Sequence, residues 1–219
     1  MGEESLVLTG GGSGLQALVA RAVGLDATAA VRVRQRCPDE IEVFVTTPFE
    51  VVAARRAKGS ISRDGAVVGG QAMLTSLEAV DVAVANDVHP LELSLGPARD
   101  PSWPGALPPE SGFTLLEELP VTVVRELADE GRKLARQFSG PMGPPQSLLN
   151  QSVVTAEAGE HKVEIPMRMI FACTNLGLIP GFSAPMDIPR HLRVAGNGRW
   201  VRVDAPFGSV YHSTRLSLF

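Results

Sequence analysis

Cysteine, lysine and aromatic residues are scarce in this sequence of 219 residues, and each scarcity excludes something. There are two cysteines, Cys37 and Cys173, which are too few for a structural zinc site and are not spaced as a CxxC pair. No secretion signal accompanies them, so two buried, reduced thiols are expected. Uninterrupted apolar runs long enough for a membrane span, about 18 residues, are missing. So are the basic start and the apolar stretch of about 7–15 residues that open a signal peptide: the chain begins Met1-Gly2-Glu3-Glu4. A cytoplasmic protein without membrane contact is expected. Only Lys58, Lys133 and Lys162 are lysines, so arginine carries the positive charge. The formal net charge is −4, which argues against a dedicated nucleic-acid coat. What is present, 44% hydrophobic and 20% charged residues, is the composition of an ordinary globular protein able to bury a core.

The patterning predicts an α+β fold. Leu6-Val7-Leu8-Thr9 reads as a short strand broken by Gly10-Gly11-Gly12. Ser13 stands three residues before Gln16, a capping-box spacing, and Leu15, Leu18, Val19 and Val23 then recur at helical intervals to Gly24. Apolar and charged residues alternate from Val31 to Arg36, a strand with one dry and one wet face. With Ile41 to Thr47 and Phe49 to Arg55 it makes an antiparallel meander, followed by a helix over about 71–85. Prolines 90, 97, 101, 104, 108 and 109 mark a loop segment. Beyond it, the spacing predicts a helix from Pro120 to about Gln137, a short helix near 145–151, and strands at 153–156 and 162–165. A helix over 166–176 follows, then a hairpin about Asn197-Gly198 and a last strand over about 209–217. The expected domains are 1–88, a proline-rich linker over 89–113, and 114–219.

The two meanders resemble each other. A shift of 158 residues pairs Val43 with Val201, Val45 with Val203, Pro48 with Pro206, Phe49 with Phe207 and Val52 with Val210. Such a repeat makes the fold two small modules of antiparallel meander plus helices, related by a pseudo-twofold.

Leu8-Thr9-Gly10-Gly11-Gly12-Ser13-Gly14-Leu15 resembles the cofactor loop of short-chain dehydrogenases, where backbone N–H groups at a helix start hold a pyrophosphate. Gln16 stands where that family's last glycine belongs. The family's Tyr-x-x-x-Lys has no counterpart either, since Arg215 follows the single tyrosine, Tyr211. No cofactor is therefore expected. A glycine-rich turn that starts a helix and holds no ligand is the default reading, and a plain anion site at Gly12, Ser13 and Gly14 is the alternative. The stretch from Trp200 to Tyr211 and Thr47-Pro48-Phe49-Glu50-Val51-Val52 look like segments of uncharacterised actinobacterial proteins. That resemblance, in two parts, spans most of the chain and implies no activity.

No metal site is expected, because His89, His161, His191 and His212 have no helical ligand spacing. Three functional readings remain. The leading one is a non-enzymatic protein acting by binding or oligomerisation, as a homodimer or with a protein partner. The second is a binder of small anionic ligands or nucleotides, or an enzyme, using the Gly10–Gly14 loop. The third is a nucleic-acid-binding regulator: a helix followed by a basic hairpin, with Arg193, Arg199 and Arg202, is also how a winged DNA-binding module reads.

Overall fold

A computed structural model describes residues 2–80, 90–138 and 144–213. The chain forms two compact units, Met1–Pro48 with Val52–Ala106, and Phe49–Val51 with Leu107–Phe219.

Unit 1 is an antiparallel sheet with two helices on one face. Its strands are β1 (Glu3–Gly10), β2 (Ala30–Cys37), β3 (Glu40–Thr46), β4 (Val52–Ile61), β5 (Val67–Gly69) and β6 (Leu91–Pro97), and its helices are α1 (Gly12–Leu25) and α2 (Gly70–Ala79). The strand order is β5-β2-β3-β4-β1-β6. The expected β2-β3-β4 meander forms, with Val33 opposite Val43 and Val43 opposite Arg55. Both neighbours of β1 are antiparallel to it, so no wound parallel sheet and no dinucleotide crevice arises at the glycine turn. Alternation fills the core: Val31, Val33, Ile41, Val43 and Val45 meet Leu15, Leu18, Val19, Met73 and Leu77 from the helices, all buried.

Several local readings are corrected. Residues 91–97 are a strand, not linker. Leu91, Leu93 and Leu95 alternate inward, and Pro90 and Pro97 fall at the ends, where a missing N–H costs the ladder little. The capping box does not form. Gly11, at φ 79°, is the N-cap, and its left-handed backbone starts the helix at Gly12, ahead of Ser13. Helix α2 ends at Ala79, Val80 is already extended, and residues 81–85 of the 71–85 helix reading lie outside the described residues. Strand β4 begins at Val52 rather than Phe49, because Glu50 turns the chain at φ 56°, and it runs on to Ile61.

Unit 2 has the sheet β7 (Thr114–Pro120), β10 (His191–Asn197), β11 (Trp200–Ala205) and β12 (Gly208–Ser213), in the order β7-β10-β11-β12. Beside it stand the hairpin β8 (Ser152–Ala158) and β9 (His161–Pro166), and the helices α3 (Val121–Phe138), α4 (Gln146–Leu149) and α5 (Met167–Asn175). Strand β7 escaped the sequence reading. Strand β12 ends at Ser213, and residues 214–217 of its expected span lie outside the described residues. Helix α5 is buried from Met167 to Cys173 and passes close to α3 at Gly131, where a Cβ would stand 2.7 Å from Met167 Sδ. A helix buried on every face cannot enter a groove of DNA, which removes the winged-module reading.

The order β-α-β-β-β occurs twice, as β1-α1-β2-β3-β4 and as β9-α5-β10-β11-β12. The second run starts each element within three residues of where the 158-residue shift puts it. Among the described residues, no helix is long and apolar enough to cross a membrane.

Both cysteines are free, and only one is buried as expected. Cys37 is exposed at the end of β2, whereas burial pushes the Cys173 thiol up to about 12. A thiol reagent at pH 8 is therefore expected to label one cysteine per native chain and two after denaturation. Two native labels would show that α5 opens readily.

Candidate functional site

The strands of unit 1 place a polar network on the sheet face away from α1 and α2. Cross-strand register sets Arg34 opposite Glu42, and Glu42 opposite Arg56. Arg34 donates to Glu42 at 2.6 Å and lies 4.9 Å from the Phe44 ring. Glu42 is only 2% exposed; Arg36 and Arg56 stand 3.7 and 3.9 Å from its carboxylate. Arg36 also pairs with Glu40 at 2.9 Å, and Lys58 sits opposite Glu40 in the register. Among the described residues, this face thus carries four cations and two carboxylates, a positive excess.

This excess borders an open cleft of about 450 Å³, lined by Thr9, Gly10, Gly11, Glu40, Arg56, Ala57 and Lys58. Two features separate in sequence, the glycine turn and the basic end of β4, meet here because β1 pairs with β4 (Gly10 opposite Lys58). The glycines that line it are Gly10 and Gly11, not the Gly12, Ser13 and Gly14 of the sequence reading. Gly12 is buried, Ser13 is exposed, and Gly14 is covered by Arg55: a Cβ there would meet Arg55 Nη2 at 2.2 Å. Burial, and Arg21 beside it, pull the Arg55 guanidinium below its usual range. Only the Gly10–Gly11 side of the turn is open.

Two of the three hairpin arginines lie beside carboxylates. Arg193 is 3.8 Å from Glu118, Arg202 pairs with Asp204 at 2.9 Å and stacks on Phe113 at 4.4 Å, and Arg199 lies 5.9 Å from the Trp200 ring. His191 faces Glu118, and His161 is exposed. His89 lies outside the described residues. His212 and Asp204 point to opposite faces, since Tyr211 and Ser209 are the residues paired with Arg202 and Asp204. Among the described residues, no group of three His, Cys, Asp or Glu side chains is placed to hold a metal.

Sequence reasoning passed over a second polar node, in unit 2. Arg168, 3% exposed in the first turn of α5, donates to the Phe49 carbonyl at 2.8 Å, to Glu50 at 2.9 Å, to Gln146 at 3.2 Å and to Asn150. His212 lies near it. Burial first, and the Arg168 charge second, lower the His212 pKa; Glu50 opposes both. The available signal was one arginine inside the apolar run Pro166-Met167-Arg168-Met169-Ile170-Phe171. A charge in such a run must be buried with partners.

Residues 108–217 match the model of a domain of unknown function, DUF8185, and residues 1–105 match that of another, DUF8010. The chain belongs to the DUF8185 family. No curated protein matches it. The fold of this DUF8185 chain is nevertheless similar to that of solved bacterial sliding clamps. One is a C. crescentus β sliding clamp, with TM-score 0.58 and 9% identity over 100% of this chain. Another is the DNA polymerase III subunit β of Pseudomonas aeruginosa, with TM-score 0.57 and 12% identity over 98%. A third is a Bartonella birtlesii sliding clamp bound to griselimycin, with TM-score 0.55 and 12% identity. The DUF8185 chain spans 66% of the length of each. At these identities the likeness is one of fold.

Proposed function

We propose that this protein is a non-catalytic binding protein on a sliding-clamp fold, and that the basic cleft of unit 1 holds the phosphate backbone of DNA. The observation that carries this reading is that exposed Arg56 and Lys58 outnumber Glu40 in the lining of an open cleft, beside a glycine turn that presents backbone without side chains. Phosphate contact is electrostatic and independent of sequence, so an arginine-rich sheet face with an open turn suits it better than base reading. The fold likeness to DNA polymerase III clamps supports the same ligand class. Protein–protein recognition is the second reading, favoured by Phe182 and Met186, which stand almost wholly in solvent in unit 2.

Fluorescence anisotropy with a short labelled duplex tests the first reading. Binding is expected at low salt, with a log–log salt slope of about −2 from two neutralised phosphates. Arg56→Ala with Lys58→Ala, both exposed, is expected to bring the slope close to zero, while Arg193→Ala with Arg202→Ala leaves it unchanged. Binding that survives the first pair, or no binding at about 50 mM salt, sinks the reading.

A further inference from the structure

Helix α3 of unit 2 carries one apolar stripe, and only part of it is covered. Val121, Val124, Ala128 and Gly131 are buried, and Gly131 lies against Met167 and Phe171 of α5. Leu134 and Phe138 continue the stripe at spacings of three and four residues, yet they are 39% and 67% exposed. With Pro145, Ser147, Leu148 and Gln151 they line an open groove of about 500 Å³. An apolar stripe stabilises a fold by facing other apolar groups, and here it does so for about three turns and then opens to solvent.

The sequence holds a segment of matching chemistry. Residues 214–219, outside the described residues, read Thr-Arg-Leu-Ser-Leu-Phe. Leu216, Leu218 and Phe219 are large and apolar, and Arg215 is the single charge; segments that stay in solvent are poor in the first and rich in the second. The fold fixes where this segment starts. Strand β12 packs on α5 and ends at Ser213, and His212 lies beside Glu50 and Arg168. Arg168 in turn donates to Gln146 and Asn150, at the two ends of the short helix α4. Ser147 and Leu148, on another side of that helix, line the groove. The path from Ser213 to the groove thus rounds one helix, roughly 10 Å across, and six extended residues span up to about 20 Å.

We propose that residues 214–219 of the same chain occupy this groove, with Leu216, Leu218 and Phe219 supplying the apolar contacts to Leu134 and Phe138. The tether makes the contact intramolecular, and a short linker gives an effective concentration in the millimolar range, so a few apolar side chains suffice. A partner that uses the groove must first displace the segment. The contact involves unit 2 alone, and its failure leaves the DNA-binding reading of unit 1 untouched.

Cross-linking of cysteine pairs in the full chain tests it, with a short bismaleimide that joins two thiols. Cys37→Ser removes the exposed native thiol, and buried Cys173 stays unreactive. The test pair is Ser147→Cys with Ser217→Cys. The control pair is Arg136→Cys with Ser217→Cys: Arg136 is two residues from both Leu134 and Phe138, on the far side of α3 from the groove. Ser147 and Arg136 are exposed, so far-UV circular dichroism is expected to match wild type. The test pair is expected to link within one chain at least tenfold faster than the control pair, as read by peptide mass mapping. Leu216→Ser with Leu218→Ser is expected to bring the test pair down to the control rate. Equal rates for the two pairs, or a test pair unaffected by the two serines, overturns the proposal and leaves the groove to another partner. Links between chains in place of links within one overturn it in favour of a second copy.

Discussion

Replacing Arg168 by alanine is expected to cost the protein about 3 kcal/mol of stability. The guanidinium is buried and bonded to four groups, and its removal strands them unequally. Glu50, Gln146 and Asn150 are exposed and regain water, so each contributes little. The Phe49 carbonyl belongs to a buried residue whose ring lies 6.0 Å from Phe171, and it loses a charge-assisted bond. A cavity against α5 adds the remainder. Arg168→Met restores most of the volume and none of the bonds, and is expected to recover less than half of the loss. Urea denaturation checks both variants; a Met variant as stable as wild type would mean that the arginine matters only as packing.

The same node sets an acid limit. His212 has its folded-state pKa below the unfolded value of about 6.5, through burial first and Arg168 second. The unfolded chain therefore binds the proton more readily. Stability from this group is full above about pH 6.5 and falls as pH drops below it. His212→Asn is expected to flatten that fall between about pH 7 and pH 5, and Arg168→Ala to make it shallower. Denaturation midpoints at the two pH values decide the matter; an unchanged slope in the His212 variant excludes it as the titrating group.

Gly59→Ala is expected to be at least as damaging to unit 1, costing roughly 3–5 kcal/mol or preventing folding. Gly59 has φ 150°, and a Cβ there would stand 2.0 Å from the Val7 carbonyl oxygen. That oxygen belongs to the backbone of β1, which is held between β4 and β6, so no flexible side chain can move aside. Because Lys58 precedes it, the basic cleft is expected to be lost with the β1–β4 pairing. Gly24→Ala is the matched comparison: nothing lies within 4 Å of a Cβ on that helical residue, so it is expected to stabilise by about 0.5 kcal/mol. Thermal melting separates the two, and an intact Gly59→Ala protein would show that β1 can shift.

These residues also mark where the sequence stops being informative. Helix periodicity at Leu15, Leu18 and Val19 and the alternation at Val31–Arg36 were legible because a half-buried element writes its own period into the chain. Strand β6 was obscured because six nearby prolines outweighed three alternating leucines, although a proline at a strand end breaks nothing. The glycine turn and the basic residues Arg55, Arg56 and Lys58 stand about 45 residues apart, and a one-dimensional pattern does not report which strand lies beside which.

By itself the sequence determined the α+β class, the antiparallel meanders, the recurrence at 158 residues and the absence of a complete dehydrogenase motif. These depend on local propensity and on side-chain order along one element. Tertiary structure alone decided that Gly10 faces Lys58, that Arg168 is enclosed, and that Arg193 and Arg202 lie beside carboxylates. Each of those follows from strand register or helix phase between distant segments, which burial of the whole apolar core selects.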